Sequence, residues 1–169
     1  MLFADVRGST QLAERMRATD FSRLMNKFYK EATEILVKTN AFVDKFVGDE
    51  VIGLYFPLFA GRTHSQSAIQ AAQELLRVTQ QKIPIGIGVH TGIAYVGTVS
   101  GIEGSITDIT ALGDNVNITA RLASKAGAGE ALISDEAYLA AELNLEGVEQ
   151  RQLELKGKNE PFRVRVMTF

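Results

Sequence analysis

The sequence predicts an α+β domain in which helices pack on one central sheet, and three observations carry that reading. Strand-like and helix-like segments follow the order β-α-α-β-β-α-β-β-α-β-α-β-β, so hairpins are mixed with crossover helices. Hydrophobic residues make up 46% of the chain and charged residues 22%, the balance of a globular protein able to bury a core. The length of 169 residues suits one such core and is short for two. No repeat, linker or low-complexity stretch interrupts it, so residues 1–169 read as a single domain.

The elements follow in order. Met1–Val6 is an apolar run that reads as a buried strand with almost no lead-in, which predicts a domain cut from a longer multidomain protein. Gly8-Ser9-Thr10 offers a turn and two hydroxyl N-caps for a helix through Leu12, Ala13 and Met16. A second helix carries Phe21, Leu24, Met25, Phe28, Tyr29, Ala32, Ile35 and Leu36 at i, i+3/i+4 spacing, a core-facing stripe. Residues 41–47 and 50–56 are β-prone and only Gly48-Asp49 separates them, a hairpin signal. Pro57 closes the second strand, and Gly61 precedes a helix from His64 to Thr79. Pro84 leads into a strand through Ile85, Ile87 and Val89. A β-prone run at Ile93–Val99, the glycine-bearing loop Ser100–Gly104 and a strand at 105–112 come next. Gly113-Asp114 opens a helix of about three turns, which Gly127-Ala128-Gly129 breaks. A short strand at Ala131–Ser134, a short helix after Asp135 and two strands at about 148–156 and 161–168 complete the order. The whole resembles a ferredoxin-like central sheet with helices packed on it and strands added.

Composition removes several function classes. The net charge is −2, against the positive field that a general nucleic-acid or membrane-surface binder needs, so no nucleic-acid partner is expected. The absence of cysteine excludes thiol catalysis and thiolate metal sites, and with two distant histidines, His64 and His90, a His-rich zinc site is not expected. No apolar run reaches the ~18 residues of a membrane span, and there is no signal peptide. A cytoplasmic domain without direct membrane insertion is expected, within a parent protein that is soluble or membrane-anchored.

Asp5 ends the first strand beside a helix entry, and Asp49 stands at the hairpin tip. Two strands of one small sheet can bring such carboxylates together, and the pair suits Mg²⁺, which shares its remaining positions with phosphate and water. A turn aspartate and a strand-end aspartate without a ligand fit the same pattern. Lys45 lies in alternating register with Val43 and Val47, either as a snorkelling edge lysine or as a selective donor in a pocket. Asp114, Asn117 and Arg121 at i, i+3 and i+7 put an amide and a guanidinium one turn apart on a helix face. That face can make directed contacts to a phosphate, or be a cap with surface polarity. Lys156-Gly157-Lys158 can reach a phosphate from a hairpin end, although exposed loop lysines are common. His90 reads as a satisfied core histidine rather than a base, and the loop 100–104 has no GxGxxG or P-loop pattern.

Five stretches in order resemble the catalytic domain of class III nucleotidyl cyclases, the adenylate and guanylate cyclases. They are Phe3-Ala4-Asp5-Val6-Arg7-Gly8-Ser9-Thr10, Lys45-Phe46-Val47-Gly48-Asp49-Glu50, Gly86-Ile87-Gly88-Val89-His90-Thr91-Gly92, Ala111 through Leu122, and Leu155-Lys156-Gly157-Lys158. Together they span nearly the whole chain. The resemblance implies metal binding by Asp5 and Asp49 with the Val6 carbonyl as an extra ligand, and two Mg²⁺ ions that Mn²⁺ can replace. It implies purine recognition by Lys45 with Thr110, and terminal-phosphate binding by Lys156. Asn117 is implied to orient the ribose and Arg121 to stabilise the transition-state phosphate. Thr110 departs from the commoner aspartate and resembles the class IIIb subgroup, with which bicarbonate responsiveness is associated. Lys45, where guanylate-selective members carry Glu, tips the expectation to ATP.

The reaction so implied is attack of the ATP ribose 3′-hydroxyl on the α-phosphate, assisted by two metals, giving 3′,5′-cyclic AMP and pyrophosphate. The family builds each site from two domains. Because one chain carries both residue sets, a head-to-tail homodimer with two equivalent sites is expected, with an upstream sensor or regulatory domain. A catalytically silent regulatory or dimerisation module of the same fold is the alternative, against which the complete set Asp5, Asp49, Asn117 and Arg121 argues. An RNA-binding ferredoxin-like module lacks support in the acidic balance. A diguanylate-producing relative lacks it at Val47-Gly48-Asp49-Glu50, which has no doubled glycine.

Overall fold

The computed structural model of the chain describes residues 1–80, 82–100, 107–143, 147–158 and 160–168. Alternation in the first strand, β1 (Leu2–Val6), gives it two unlike faces: Leu2, Ala4 and Val6 enter one hydrophobic cluster, Phe3 another. Asp5 therefore shares the Phe3 face. Two helices follow, α1 (Ser9–Arg15) and α2 (Ala18–Lys38), and α2 buries Met25, Phe28, Ala32, Ile35 and Leu36 along the predicted stripe. The hairpin is β2 (Phe42–Val47) and β3 (Glu50–Leu54). Pro57 does more than close the strand. With its φ preset for a first helical position, it starts a one-turn helix, α3 (Pro57–Ala60), which a 3-10 turn at Gly61–Thr63 joins to α4 (His64–Thr79).

Next come β4 (Ile85–Val89), β5 (Tyr95–Ser100), β6 (Thr107–Leu112), α5 (Asp114–Lys125), β7 (Glu130–Ser134), α6 (Asp135–Ala140), β8 (Glu149–Leu153) and β9 (Phe162–Thr168). The expected loop at 101–104 and the start of the strand expected at 105 lie outside the described residues. Seven strands form one sheet in the order β2-β3-β1-β4-β7-β9-β8, and β5 with β6 forms a separate two-stranded ribbon. Every pairing in the sheet is antiparallel except β4 with β7, which the α5-bearing crossover connects in parallel. The run β2-β3-β1-β4 is the ferredoxin-like core, and β7, β9 and β8 extend it past β4. The fold is α+β, as the element order predicts.

Helices α2, α4 and α6 pack over one face of the sheet, and α5 crosses the other against β4, β1 and β7. The α5 crossing needs glycine. A Cβ at Gly88 would lie 2.4 Å from Ala123 N and Thr119 O, so only a bare backbone admits the helix that close. Ile85, Ile87 and Val89 fill the opposite side of the same strand.

One expectation about β2 is corrected. Strict alternation puts Val43, Lys45 and Val47 on one face. Instead Val43 pairs with Gly53 and Phe46 with Val51, with a bulge between Val43 and Phe46. Val43 and Phe46 therefore share the α2 face, while Val47 opposite Glu50 lies on the other. The extra residue within the bulge breaks the period of two.

Candidate active site

Register brings the carboxylates together. Asp5 on β1 stands directly opposite Glu50 on β3, so both side chains leave the same face of the sheet. Asp49 sits in the turn between β2 and β3, and its main-chain oxygen accepts from Val6 N at 3.2 Å, which pins the hairpin tip to the end of β1. Tyr29 of α2 adds a second pin: its hydroxyl donates to the Gly48 carbonyl and its ring stacks on Phe46 at 4.6 Å. Gly48 takes φ +61, the left-handed conformation that the tight turn needs.

The electrostatics follow from that crowding. Burial pushes the Asp5 carboxyl up to about 6, opposed by the Arg7 guanidinium and reinforced by the Asp49 side chain beside it. Burial, then the charges of Asp5 and Asp49, push Glu50 up to about 7. Among the described residues no three Asp, Glu, His or Cys side chains form a complete metal-binding group. Two adjacent carboxylates and the main chain at Val6 nonetheless fit Mg²⁺ chemically. The ion takes few protein oxygens, and its charge relieves the carboxylate crowding.

The helix entry beside Asp5 departs from expectation. Gly8, at φ +69, is the N-cap of α1 and no side chain caps the helix; Ser9 and Thr10 lie inside it. Ser9, Thr10, Phe21, Asn26, Tyr29 and Asp49 line part of a groove of about 570 Å³ that adjoins the carboxylates.

Asn117 and Arg121 do share one side of α5, as their spacing predicts. Ile118, Thr119, Leu122 and Ala123 are the buried residues of that helix, whereas Asn117 is exposed and Arg121 half-buried. The pair thus faces away from the sheet that carries Asp5. The direction of α5 separates them further. Asn115 packs against Gly92 beyond one end of β4, and Ala126 lies over Gly86, the neighbour of Asp5, at the other. Nine residues of helix at 1.5 Å each put Asn117 about 13 Å along the axis from Ala126.

Asp114, which the sequence leaves open as part of a phosphate-facing row or as a polar surface residue, is an exposed ion-pair partner: Lys158 Nζ lies 2.6 Å from its Oδ2. The N-cap of α5 is Gly113. Lys158, the second lysine of its turn, is thereby engaged, and exposed Lys156 stands two residues before it. Lys45 is half-buried in β2, and Thr110 on β6 pairs with Gly97 of β5. The β5–β6 ribbon meets the sheet where β6 touches β2. The structure therefore gathers Asp5, Val6 and Asp49 in one place and sets Asn117 and Arg121 on a surface of the same chain that does not face them.

His90 is the satisfied core residue its apolar strand predicts. It is 3% exposed, with Nδ1 2.8 Å from Ser134 Oγ and Nε2 3.0 Å from Asn115 Oδ1. Asn115 Nδ2 donates to the Ile93 carbonyl at 2.8 Å, so its Oδ1 accepts and the histidine proton sits on Nε2. Burial lowers the His90 pKa and keeps the ring neutral. Sequence reasoning missed three contributors: Glu50, Tyr29 and Arg7, whose guanidinium pairs with Asp5. The two-residue turn places Glu50 opposite Val47, and the pairing of β3 with β1 sets it opposite Asp5. Arg7 stands only two residues from Asp5, whereas its contacts with Ser124 and Ala126, and that of Tyr29 with Gly48, cross the fold and leave no local signal.

Comparison with known proteins returns one family. A model of the adenylate and guanylate cyclase catalytic domain matches residues 1–168. An adenylate cyclase from Anabaena cylindrica is 30% identical over 135 residues, which is 72% of this chain and 26% of that protein. The chain thus spans about a quarter of that relative's length. Among solved structures, the adenylyl cyclase CyaB from P. aeruginosa superposes with a TM-score of 0.86 at 27% identity, covering 99% of this chain and 92% of that one. The guanylate cyclase domain of RhGC from Catenaria anguillulae, solved in complex with GTP, shares the fold with a TM-score of 0.84 at 22% identity over 99% and 94% of the two chains.

Proposed function

We propose, from the premise that this chain belongs to the adenylate and guanylate cyclase catalytic domain family, that it converts ATP to 3′,5′-cyclic AMP and pyrophosphate at two sites shared across a homodimer. The observation that carries the reading is the convergence of Asp5 and Asp49 at the tip of β1, where partial burial, reinforced by Asp49, raises the Asp5 pKa. Two divalent ions there, Mg²⁺ or Mn²⁺, would acidify the attacking hydroxyl and stabilise charge on the α-phosphate.

The chain's own residues supply the rest. Asp5, Asp49 and the Val6 carbonyl would hold the cations. Asn117 orients the ribose so that its 3′-oxygen stands in line with the α-phosphorus. A bond forms between that oxygen and phosphorus, the bond to the β-phosphate oxygen breaks, pyrophosphate departs and the hydroxyl proton passes to solvent. Arg121 stabilises the charge that develops on the α-phosphate, a contribution of about 3–4 kcal/mol if it resembles one oxyanion donor. Lys45 and Thr110 read the purine, and Lys156 holds the terminal phosphates. The outward aspect of Asn117 and Arg121, away from Asp5, supports a head-to-tail pairing in which each chain completes its partner's site. A regulatory domain elsewhere in a longer parent protein would act by shifting that pairing.

The test is direct detection of cyclic product and pyrophosphate from ATP and from GTP, with Mg²⁺ and then Mn²⁺. It is repeated with Asp49→Ala chains, with Arg121→Ala chains, and with the two mixed. Cyclic AMP from the unaltered chain, near silence from each variant and recovery on mixing is the expected pattern. No cyclic product from folded, dimeric protein would favour the silent regulatory module. Silence of verified mixed dimers would remove the shared site.

A further inference from the structure

Arg7 reaches in two directions from the turn between β1 and α1. Nη2 donates to Asp5 Oδ2, and Nε to the Asp5 main-chain oxygen at 3.4 Å. Nη1 donates to the carbonyl of Ser124 at 2.9 Å and to that of Ala126 at 3.4 Å. Those two carbonyls close α5, where the helix has no further N–H to offer them and where positive charge is favoured. Gly86 leaves the room: a Cβ there would lie 3.1 Å from Arg7 Nε and 2.8 Å from Ala126 O. The guanidinium side chain is only 20% exposed, so it is a fixed strut between strand and helix. A planar fork with five donors can serve these four acceptors, one carboxylate oxygen and three carbonyls, at once, whereas an ammonium has three donors.

We infer that Arg7 is a positioning residue that ties Asp5 to the C-terminal end of α5 and so couples the two sites of the dimer. The inference rests on the shared-site reading above. In that arrangement Asp5 serves one site while Asn117 and Arg121 of the same chain serve the other. Arg7 is then the contact through which the metal-binding end of one site reaches the helix that builds the second. Rigid helix passes a shift at Ala126 to Arg121 and Asn117, and misplacement at such groups is costly in rate.

Mixed dimers separate the two directions. An Asp49→Ala chain supplies Asn117 and Arg121 to the one intact site, and an Arg121→Ala chain supplies Asp5 and Asp49. Arg7→Lys is introduced into one chain and then into the other, at a temperature where circular dichroism shows both folded. The expected result is a fall in kcat of about tenfold in either placement, with KM for ATP changed less than about twofold. A fall only when the Arg121→Ala chain carries the change would make Arg7 a partner of its own carboxylate alone. No fall in either placement would make it a fold-stabilising residue. Both outcomes overturn the coupling. Amide hydrogen exchange on the Arg7→Lys homodimer reads the strut without any turnover. Exchange at residues 122–129 should quicken about tenfold, the equivalent of one charged hydrogen bond. Unchanged exchange there overturns the tie even if the mixed dimers prove silent for other reasons.

Discussion

Asp5, Asp49 and Glu50 crowd three carboxylates against the end of β1, and the fold accepts that repulsion only because Arg7 and the hairpin contacts hold them there. On the reading proposed above, a divalent cation bound there would offset that cost. Base selection is also a matter of single side chains. On the proposed reading Lys45 would offer a donor to the purine, whereas the Thr110 hydroxyl would donate or accept equally well, so the charge at residue 45 would dominate the choice. Lys45→Glu should lower the ratio of ATP to GTP turnover by about tenfold or more, the scale of a reversed polar contact in a site built to recognise it. An unchanged ratio of initial rates would take Lys45 out of base recognition. At this scale the sequence was legible where chemistry is short-range. Asp5 and Asp49 could be named as candidates from their turns, but the reach of Arg7 past Asp5 to Ser124 and Ala126 could not, since those partners stand 117 and 119 residues away.

Elements place these residues, and α5 is the element on which most depends. Its start is held by His90 through Asn115 and by Lys158 through Asp114, its middle rests on Gly88, and its end is gripped by Arg7. The histidine contact gives the element a pH signature. Because burial lowers the His90 pKa, the unfolded chain takes up a proton near the ordinary value of 6.5 while the folded chain does not. Stability from this group is therefore present above about 6.5 and is lost as the pH falls below it. The melting temperature of His90→Gln should decline less between pH 7 and pH 5.5 than that of the unaltered chain; parallel curves would show that His90 does not drive the acid loss. Helix and strand boundaries were readable from periodicity, with α4 matching its predicted span of 64–79. The β2 bulge and the separation of the β5–β6 ribbon were not, because both depend on what a strand pairs with rather than on its own residues.

The whole molecule places the Asp5 and Asp49 carboxylates and the Asn117–Arg121 pair on aspects of one chain that do not face each other. In the proposed homodimer, a second copy turned about a two-fold axis would close that gap twice. Turnover should therefore rise more steeply than linearly with protein concentration until dimers predominate; strict proportionality down to concentrations where sizing shows monomer would place a complete site within one chain. By itself the sequence determined the fold class, the family and the order of elements apart from the one-turn helix α3, because periodicity, turn chemistry and short motifs are local properties of a chain. Tertiary structure alone decided that Glu50 joins the carboxylates, that Arg7 binds strand to helix, and that Asn117 and Arg121 look outward. Those facts depend on strand register and on a helix crossing, which fix relations between residues far apart in the chain.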